Sequence, residues 1–379
     1  MERRQPGRVS GGTRGETERR RTVTSDRGKA AIPEKRKRPG VCYAMTNDGV
    51  ELAVVDVTHP AFEVKIGDAE LADAVDRFVR ECKRREKLPD FLHRWGMRFF
   101  LRRSVLAGGL QVVNGGFLRG LDTYLFKLGS ENLGAGWADP VDLKIAASLP
   151  ALAMRLRLQD MATFAADGLA AALAGSAEQP LHLLSIAGGP AMDSLNTLLL
   201  LRKRDPGWLR GREVFIHVLD LESAAPDFGR RALAALQADG ATLGGLKIEY
   251  HFTAYNWGDV KTLRELLAGL GTGTGVFAAC SEGGLFEYGS DEEIVANLET
   301  LHAGTPADTL VAGTIGRTEG PALHLRRGLN PSAARPRSLE SFRALARRGG
   351  WGVDRVVERP FSHNFRLKKS PEAVASGKV

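Results

Sequence analysis

Four segments of this sequence set chemically capable side chains at the ends of short apolar runs. In LHLLSIAGGPAMDSL (181–195) the run closes on Ser185 and enters a turn of small residues, Ala187, Gly188, Gly189 and Pro190, before a helical pattern begins. Small residues let a ligand approach the backbone. A helix opening near Ala191 would offer unpaired N–H groups and a positive dipole end, so an anion or carboxylate suits the turn. A second run ends in Asp220, followed by Leu221 and Glu222. A carboxylate is acceptor-only with two oxygens and can serve two hydroxyl donors, although an Asp at such a point is also an ordinary cap or turn residue. A third ends in TAYNWGDVKTL, with Asn256, Trp257 and Asp259, a set equally explained by an N-cap Asp beside a core Trp. The fourth ends in CSEGGLFEYGSDEEI, with Cys280, Ser281, Glu282, Glu287 and Tyr288 around Gly283 and Gly284. Ser290 followed by Glu293 has capping-box spacing. Glu282, Glu287 and Tyr288 have no such structural explanation, and at least one of them is expected at a substrate pocket.

These residues need strands to carry them. Alternating strand and helix patterns predict strands at 181–186, 214–219, 247–252, 275–280 and 309–315, with helices at 191–203, 223–238, 259–270 and 290–303 between them. Crossovers of that length favour parallel pairing. After a polar loop at 317–336 and a helix at 338–348, the last two strands (352–358 and 361–368) are separated only by Arg359 and Pro360 and must pair antiparallel. The expected fold is therefore α/β, a doubly wound, seven-stranded, mostly parallel sheet with an antiparallel C-terminal hairpin, plus an N-terminal helical segment. Within that segment, ELAVVDV and AFEVKI suggest two short strands. Residues 69–86 place Leu71, Val75, Phe78, Val79 and Cys82 on one helix face. Pro89 opens a further helix through Phe91, Trp95, Phe99 and Phe100, Gly-Gly pairs stand at 108 and 115, and LDTYLFKLG ends at Gly129. A loop with Trp137 precedes a long helical region from about 142 to 173, broken near Pro150. The domain reading is a disordered basic tail at 1–44, a mainly helical cap or lid at 45–140, the α/β domain at 141–370 and a flexible end at 371–379.

Residues 1–40 hold 13 Lys and Arg against 5 Asp and Glu, which accounts for the whole formal charge of +8. With few large apolar residues, that segment cannot offset its ordering entropy. Met45, where ordinary folded-looking sequence begins, is the expected natural start. A neutral body argues against a nucleic-acid partner, and no apolar run is long enough for a membrane span. Three separated cysteines suit reduced thiols and a cytoplasmic location. Eight histidines without HxH or HxxxH spacing give no support for a metal site. A homodimer is left open.

The five parallel-type strands, the glycine turn after the first and the closing hairpin resemble the class I S-adenosylmethionine-dependent methyltransferases over about 142–369. Of that family's acid-Gly-x-Gly-x-Gly turn only Gly189 is kept; Ser185 stands for the acid, and Ala187 and Ala191 for glycines. The resemblance implies S-adenosylmethionine as cofactor, lying along Ser185, Ala187, Gly188, Gly189 and Pro190. Asp220, with Leu221 beside it and Glu222 as the alternative acid, would accept from both ribose hydroxyls. Asn256, Trp257 and Asp259 would surround the adenine. Gln159, with Arg155, would reach the cofactor carboxylate. The implied activity is in-line methyl transfer to a small organic acceptor in a covered pocket. Proximity is the main demand of that chemistry, with a base needed only for an acceptor proton of high pKa. Glu282, His251 and Tyr288 are the candidate catalytic residues, with His363 a weaker base. The competing readings are an NAD(P)-dependent oxidoreductase and a non-catalytic relative of the fold.

Overall fold

The structure is a computed structural model that describes residues 31–87, 104, 106, 120–133, 140–176, 178–271, 275–329 and 334–370. The first 30 residues of the expected tail, the helix after Pro89, the Gly-Gly pairs at 108 and 115, the loop at Trp137 and the end from 371 lie outside the described residues.

The expected tail to residue 44 carries structure over its last part. Lys37 pairs with Glu51, the backbone N–H of Arg38 donates to the Tyr43 hydroxyl, and Ala44 is buried. Strands β1 (Tyr43–Met45) and β2 (Glu51–Ala53) form an antiparallel hairpin. The expected strand at AFEVKI is absent, because Val64 gives both its backbone hydrogen bonds to the side-chain amide of Gln159. Helix α1 (Asp68–Glu86) matches the reading, with its apolar face half-buried and Phe78 edge-on to Phe361. Helices α2 (Gly120–Leu128), α3 (Pro140–Ala146) and α4 (Leu149–Gly175) follow, and the break before α4 falls where Pro150 suits a first helical turn.

The remaining elements are β3 (Leu181–Ile186), α5 (Met192–Arg204), β4 (Glu213–Asp220), α6 (Ala224–Leu236), β5 (Lys247–Ala254), α7 (Lys261–Leu270), β6 (Val276–Ser281), the single turn α8 (Leu285–Tyr288) and α9 (Asp291–Gly304). After them come β7 (Leu310–Gly316), α10 (Pro321–Leu329), α11 (Leu339–Arg348), β8 (Trp351–Glu358) and β9 (Ser362–Lys369). Helix α10 corrects the expected loop at 317–336: Pro321 fixes the first φ after Gly320, and the following Ala, Leu and Arg residues favour helix. Ser290 and Glu293 form the expected capping box.

The seven-stranded sheet runs β5-β4-β3-β6-β7-β9-β8, and β9 is antiparallel to both neighbours. β3 and β6 are buried along their whole length, as near-continuous apolar runs require. Edge strand β5 alternates between exposed and half-buried positions. Edge strand β8 carries a register shift between Val353 and Arg355. Leu181, Leu183, Val214, Ile216 and Ala278 face α4, α5 and α6 on one side. Leu184, Ile186, Leu219 and Phe277 face α7, α9 and α11 on the other. Leu52, Val54, Val55 and Phe62 belong to the first of these cores, so the N-terminal hairpin is built into the main body. Among the described residues no helix is long and apolar enough to cross a membrane.

Candidate active site

The turn after β3 takes a backbone path that glycine would follow without strain. Ala187, Gly189 and Ala191 have φ of 51°, 53° and 53°. A left-handed non-glycine residue costs roughly 1–2 kcal/mol, a strain that Ala187 and Ala191 carry in this turn. Gly188 admits no side chain: a Cβ there would lie 1.9 Å from Ser185 Oγ. Pro190 is buried, and its carbonyl would stand 2.3 Å from a Cβ on Gly229, so α6 packs closely under the turn. On its other side the turn is touched by α2, where a Cβ on Gly120 would come within 2.7 Å of Gly189 Cα.

The turn is bonded directly to the end of β4. Gly189 N–H donates to Asp220 Oδ2 at 2.9 Å, and Glu222 N–H donates to Oδ1 at 3.3 Å. Burial raises the Asp220 pKa, and these backbone donors only partly offset it. Leu221 beside it is 54% exposed. From the end of β5, Tyr255 N–H donates to the Asp220 carbonyl at 2.9 Å, bringing the Asn256 loop alongside. Asn256 is exposed and its Oδ1 accepts from Gly258 N–H at 3.0 Å. Asp259 Oδ1 accepts from Lys261 N–H at 3.0 Å, a local turn bond just before α7. Trp257 is half-buried against the second core.

A line of buried charge crosses the ends of β3, β6 and β7. Glu282 Oε2 accepts from Lys127 Nζ at 2.7 Å and its Oε1 from Arg157 Nε at 3.2 Å; Arg157 Nη1 reaches Glu287 Oε1 at 3.0 Å. The side chains of Lys127 and Glu282 are 7% and 4% exposed. Thr314 Oγ1 donates to Glu287 at 3.3 Å and accepts from Gly283 N–H at 3.2 Å. Both glycines of this loop answer to close neighbours: a Cβ on Gly283 would meet the Arg157 guanidinium at 2.7 Å, and one on Gly284 would meet Ala187 Cβ at 2.4 Å. Burial opposes the charge on Arg157, but Glu287 and Glu282 override it and raise its pKa. Burial, then Glu287, pushes the Tyr288 phenol up to about 12. At the near end, Ser185 Oγ donates to the Asp193 carboxylate at 2.8 and 3.0 Å. Burial and the charge of Glu282 raise Asp193 to about 6, against the hydrogen bonds from Ser185 and the Ser194 N–H. Cys280 is buried under the same loop, and Ser281 Oγ accepts from Leu285 N–H at 3.0 Å. Lys127, Arg157 and Asp193 were not among the residues read from the sequence.

Four sequence candidates stand elsewhere. Gln159 is bound to Val64, and the Arg155 guanidinium lies against Gly129 and the Phe62 carbonyl. Both point toward the N-terminal segment, while Arg157, two residues on from Arg155, reaches Glu282 and Glu287. His251 lies mid-strand on β5, half-exposed, bonded to Glu249 at 3.0 Å and stacked beside His217. It belongs to a row of rings with His182, Phe215 and Phe277, in which His182 and His217 are 3.1 Å apart. Burial drives these two down to about 4 and about 3, His217 also through its histidine neighbours. His363, buried on β9, has its pKa lowered by burial and by Arg317. Among the described residues no group of His, Cys, Asp and Glu is arranged to hold a metal.

No family model matches the chain, and no curated protein matches it in sequence. Solved structures do match. A possible exported protein from Bordetella parapertussis is 17% identical, with a TM-score of 0.53 over 80% of this chain and 97% of its own. Magnesium protoporphyrin IX methyltransferase from Synechocystis PCC 6803, with bound S-adenosylhomocysteine, is 15% identical, with a TM-score of 0.39 over 59% of this chain and 88% of its own. The neocarzinostatin-biosynthesis O-methyltransferase, with S-adenosylhomocysteine and 1,4-dihydroxy-2-naphthoic acid, is 18% identical, with a TM-score of 0.33 over 50% of this chain and 49% of its own. With its strand order, its reversed penultimate strand and a glycine turn closing the central strand, the chain has the class I S-adenosylmethionine-dependent methyltransferase fold.

Proposed function

We propose that the chain transfers the methyl group of S-adenosylmethionine to a small organic acceptor. The observation that carries this reading is the 2.9 Å bond between Gly189 and Asp220, which sets the turn and the ribose acid side by side at the strand ends where open α/β sheets bind ligands. The residues present fit a nucleoside with a charged tail. Exposed Leu221 and Asn256 leave the outer end open, and the buried ions supply the inner one. The group itself would supply a methyl already activated by its positive sulfur.

The chain's own residues then have simple tasks. Asp220 accepts from the ribose hydroxyls, while Asn256 and Trp257 border the base. Glu282, held by Lys127 and Arg157, is fixed in one orientation and serves to position the acceptor. Tyr288, with its pKa at about 12, stays protonated at neutral pH and acts as a donor. His251 sits mid-strand and is assigned no part in the transfer.

The contact of Gly120 with Gly189 favours one rival, a relative of the fold that no longer binds the cofactor. Calorimetry separates the two. Wild-type protein should bind S-adenosylmethionine and S-adenosylhomocysteine, and Asp220→Ala should lose at least tenfold in affinity. No heat with either ligand at millimolar concentration would exclude a working transferase.

A further inference from the structure

The buried line alternates in sign: Asp193, Lys127, Glu282, Arg157 and Glu287, three carboxylates against two cations among the described residues. Buried ions are costly unless matched, and Asp193, only 1% exposed, is the member without an ion pair within contact distance among the described residues. Its carboxylate accepts from Ser185 Oγ at the root of the glycine turn. We propose that the line is completed by positive charge on the ligand, with Asp193 as its counter-ion. In this chain the acid comes from the first turn of α5, since Ser185 occupies the end of β3. Direct contact is unnecessary, because charges in low-dielectric surroundings interact strongly over several ångströms.

This inference rests on the crevice being a sulfonium-nucleoside site, and the ligand class that follows is a cationic nucleoside in preference to a neutral one. Two groups could bring the charge, the ammonium of the amino-acid end or the sulfonium. The groups facing Asp193 are Ser185, Lys127, Glu282, Cys280 and Tyr250, the last with a buried hydroxyl that has no hydrogen-bond partner among the described residues. With Asp193 at about 6, its charge is present above that pH and lost below it.

The test is calorimetric titration of wild type and Asp193→Asn with S-adenosylmethionine, S-adenosylhomocysteine and 5′-methylthioadenosine, which lacks both charges. Asp193→Asn should weaken S-adenosylmethionine by about tenfold or more and leave 5′-methylthioadenosine within about twofold, the loss expected when a charge partner is removed from a buried site. A parallel loss for S-adenosylhomocysteine assigns the ammonium; an unchanged value assigns the sulfonium. Should the variant fail to fold, wild type alone decides, since its S-adenosylmethionine affinity should fall about tenfold from pH 7.5 to 5 while 5′-methylthioadenosine stays level. Equal effects on charged and neutral nucleosides, or none, would overturn the inference and leave the proposed cofactor standing. Absence of binding by every nucleoside would remove the cofactor reading itself.

Discussion

Two sets of buried polar side chains lie on one sheet, and they solve the same problem in opposite ways. Across the strand ends, Lys127, Glu282, Arg157 and Glu287 set acid against base at contact distance. Lower down, His182 and His217 give up their charge, stacked among Phe215 and Phe277. An ionic arrangement is expensive and geometrically exacting. Burial holds His182 and His217, the inner members of the ring row, toward their neutral form. The paired ions stand at the strand ends, where the proposed site lies, while the histidines whose charge burial suppresses stand within the packed sheet.

The sharpest way to break this contrast is to remove one charge. Glu282→Ala strands Lys127 without its partner and should cost about 3–5 kcal/mol in urea unfolding, whereas Lys127→Met with Glu282→Leu should recover most of it. Acid attacks the other set. With folded-state values near 4 and 3, the histidines bind fewer protons folded than unfolded, so stability should fall as pH drops below 6.5. The slope should reach up to ~1.4 kcal/mol per pH unit for each histidine, and His217→Phe should flatten it in thermal melts at pH 4 to 7. Asp193 contributes the reverse sign: its raised pKa means stability is lost as pH climbs from about 4 to about 6. Smallest of all, Glu249→Gln at the exposed end of the ring row should change stability by no more than ~0.5 kcal/mol, since both partners of the Glu249–His251 pair are largely solvated.

The sheet was legible because its strands are apolar runs bounded by helical periodicity, and the two-residue link at Arg359 and Pro360 leaves only an antiparallel turn. The placement of Asp220 beside the glycine turn was legible from its order after that turn. The ionic line was not. Helix α4 buries residues on every side, among them Leu156, Leu158, Met161 and Ala165, so no apolar stripe distinguishes the direction of Arg155 from that of Arg157. Asp193 reads as an ordinary acid in a first helical turn, and only the register of β3 beneath it brings Ser185 within reach. Lys127 belongs to a segment far from the strands in sequence, joined to Glu282 by tertiary packing alone. The AFEVKI run misled because side-chain amide bonds from Gln159 replaced a strand partner.

The register shift in β8 has a consequence for how copies of this molecule meet. An incoming strand would find the outer backbone of β8 bent at Asp354, with the charged side chains of Arg355 and Glu358 standing along it, while β5 presents Lys247, Glu249 and His251 at the opposite border. Irregular, charged borders deter addition of further strands. Continuous sheet growth from one copy to the next is thereby disfavoured at both margins.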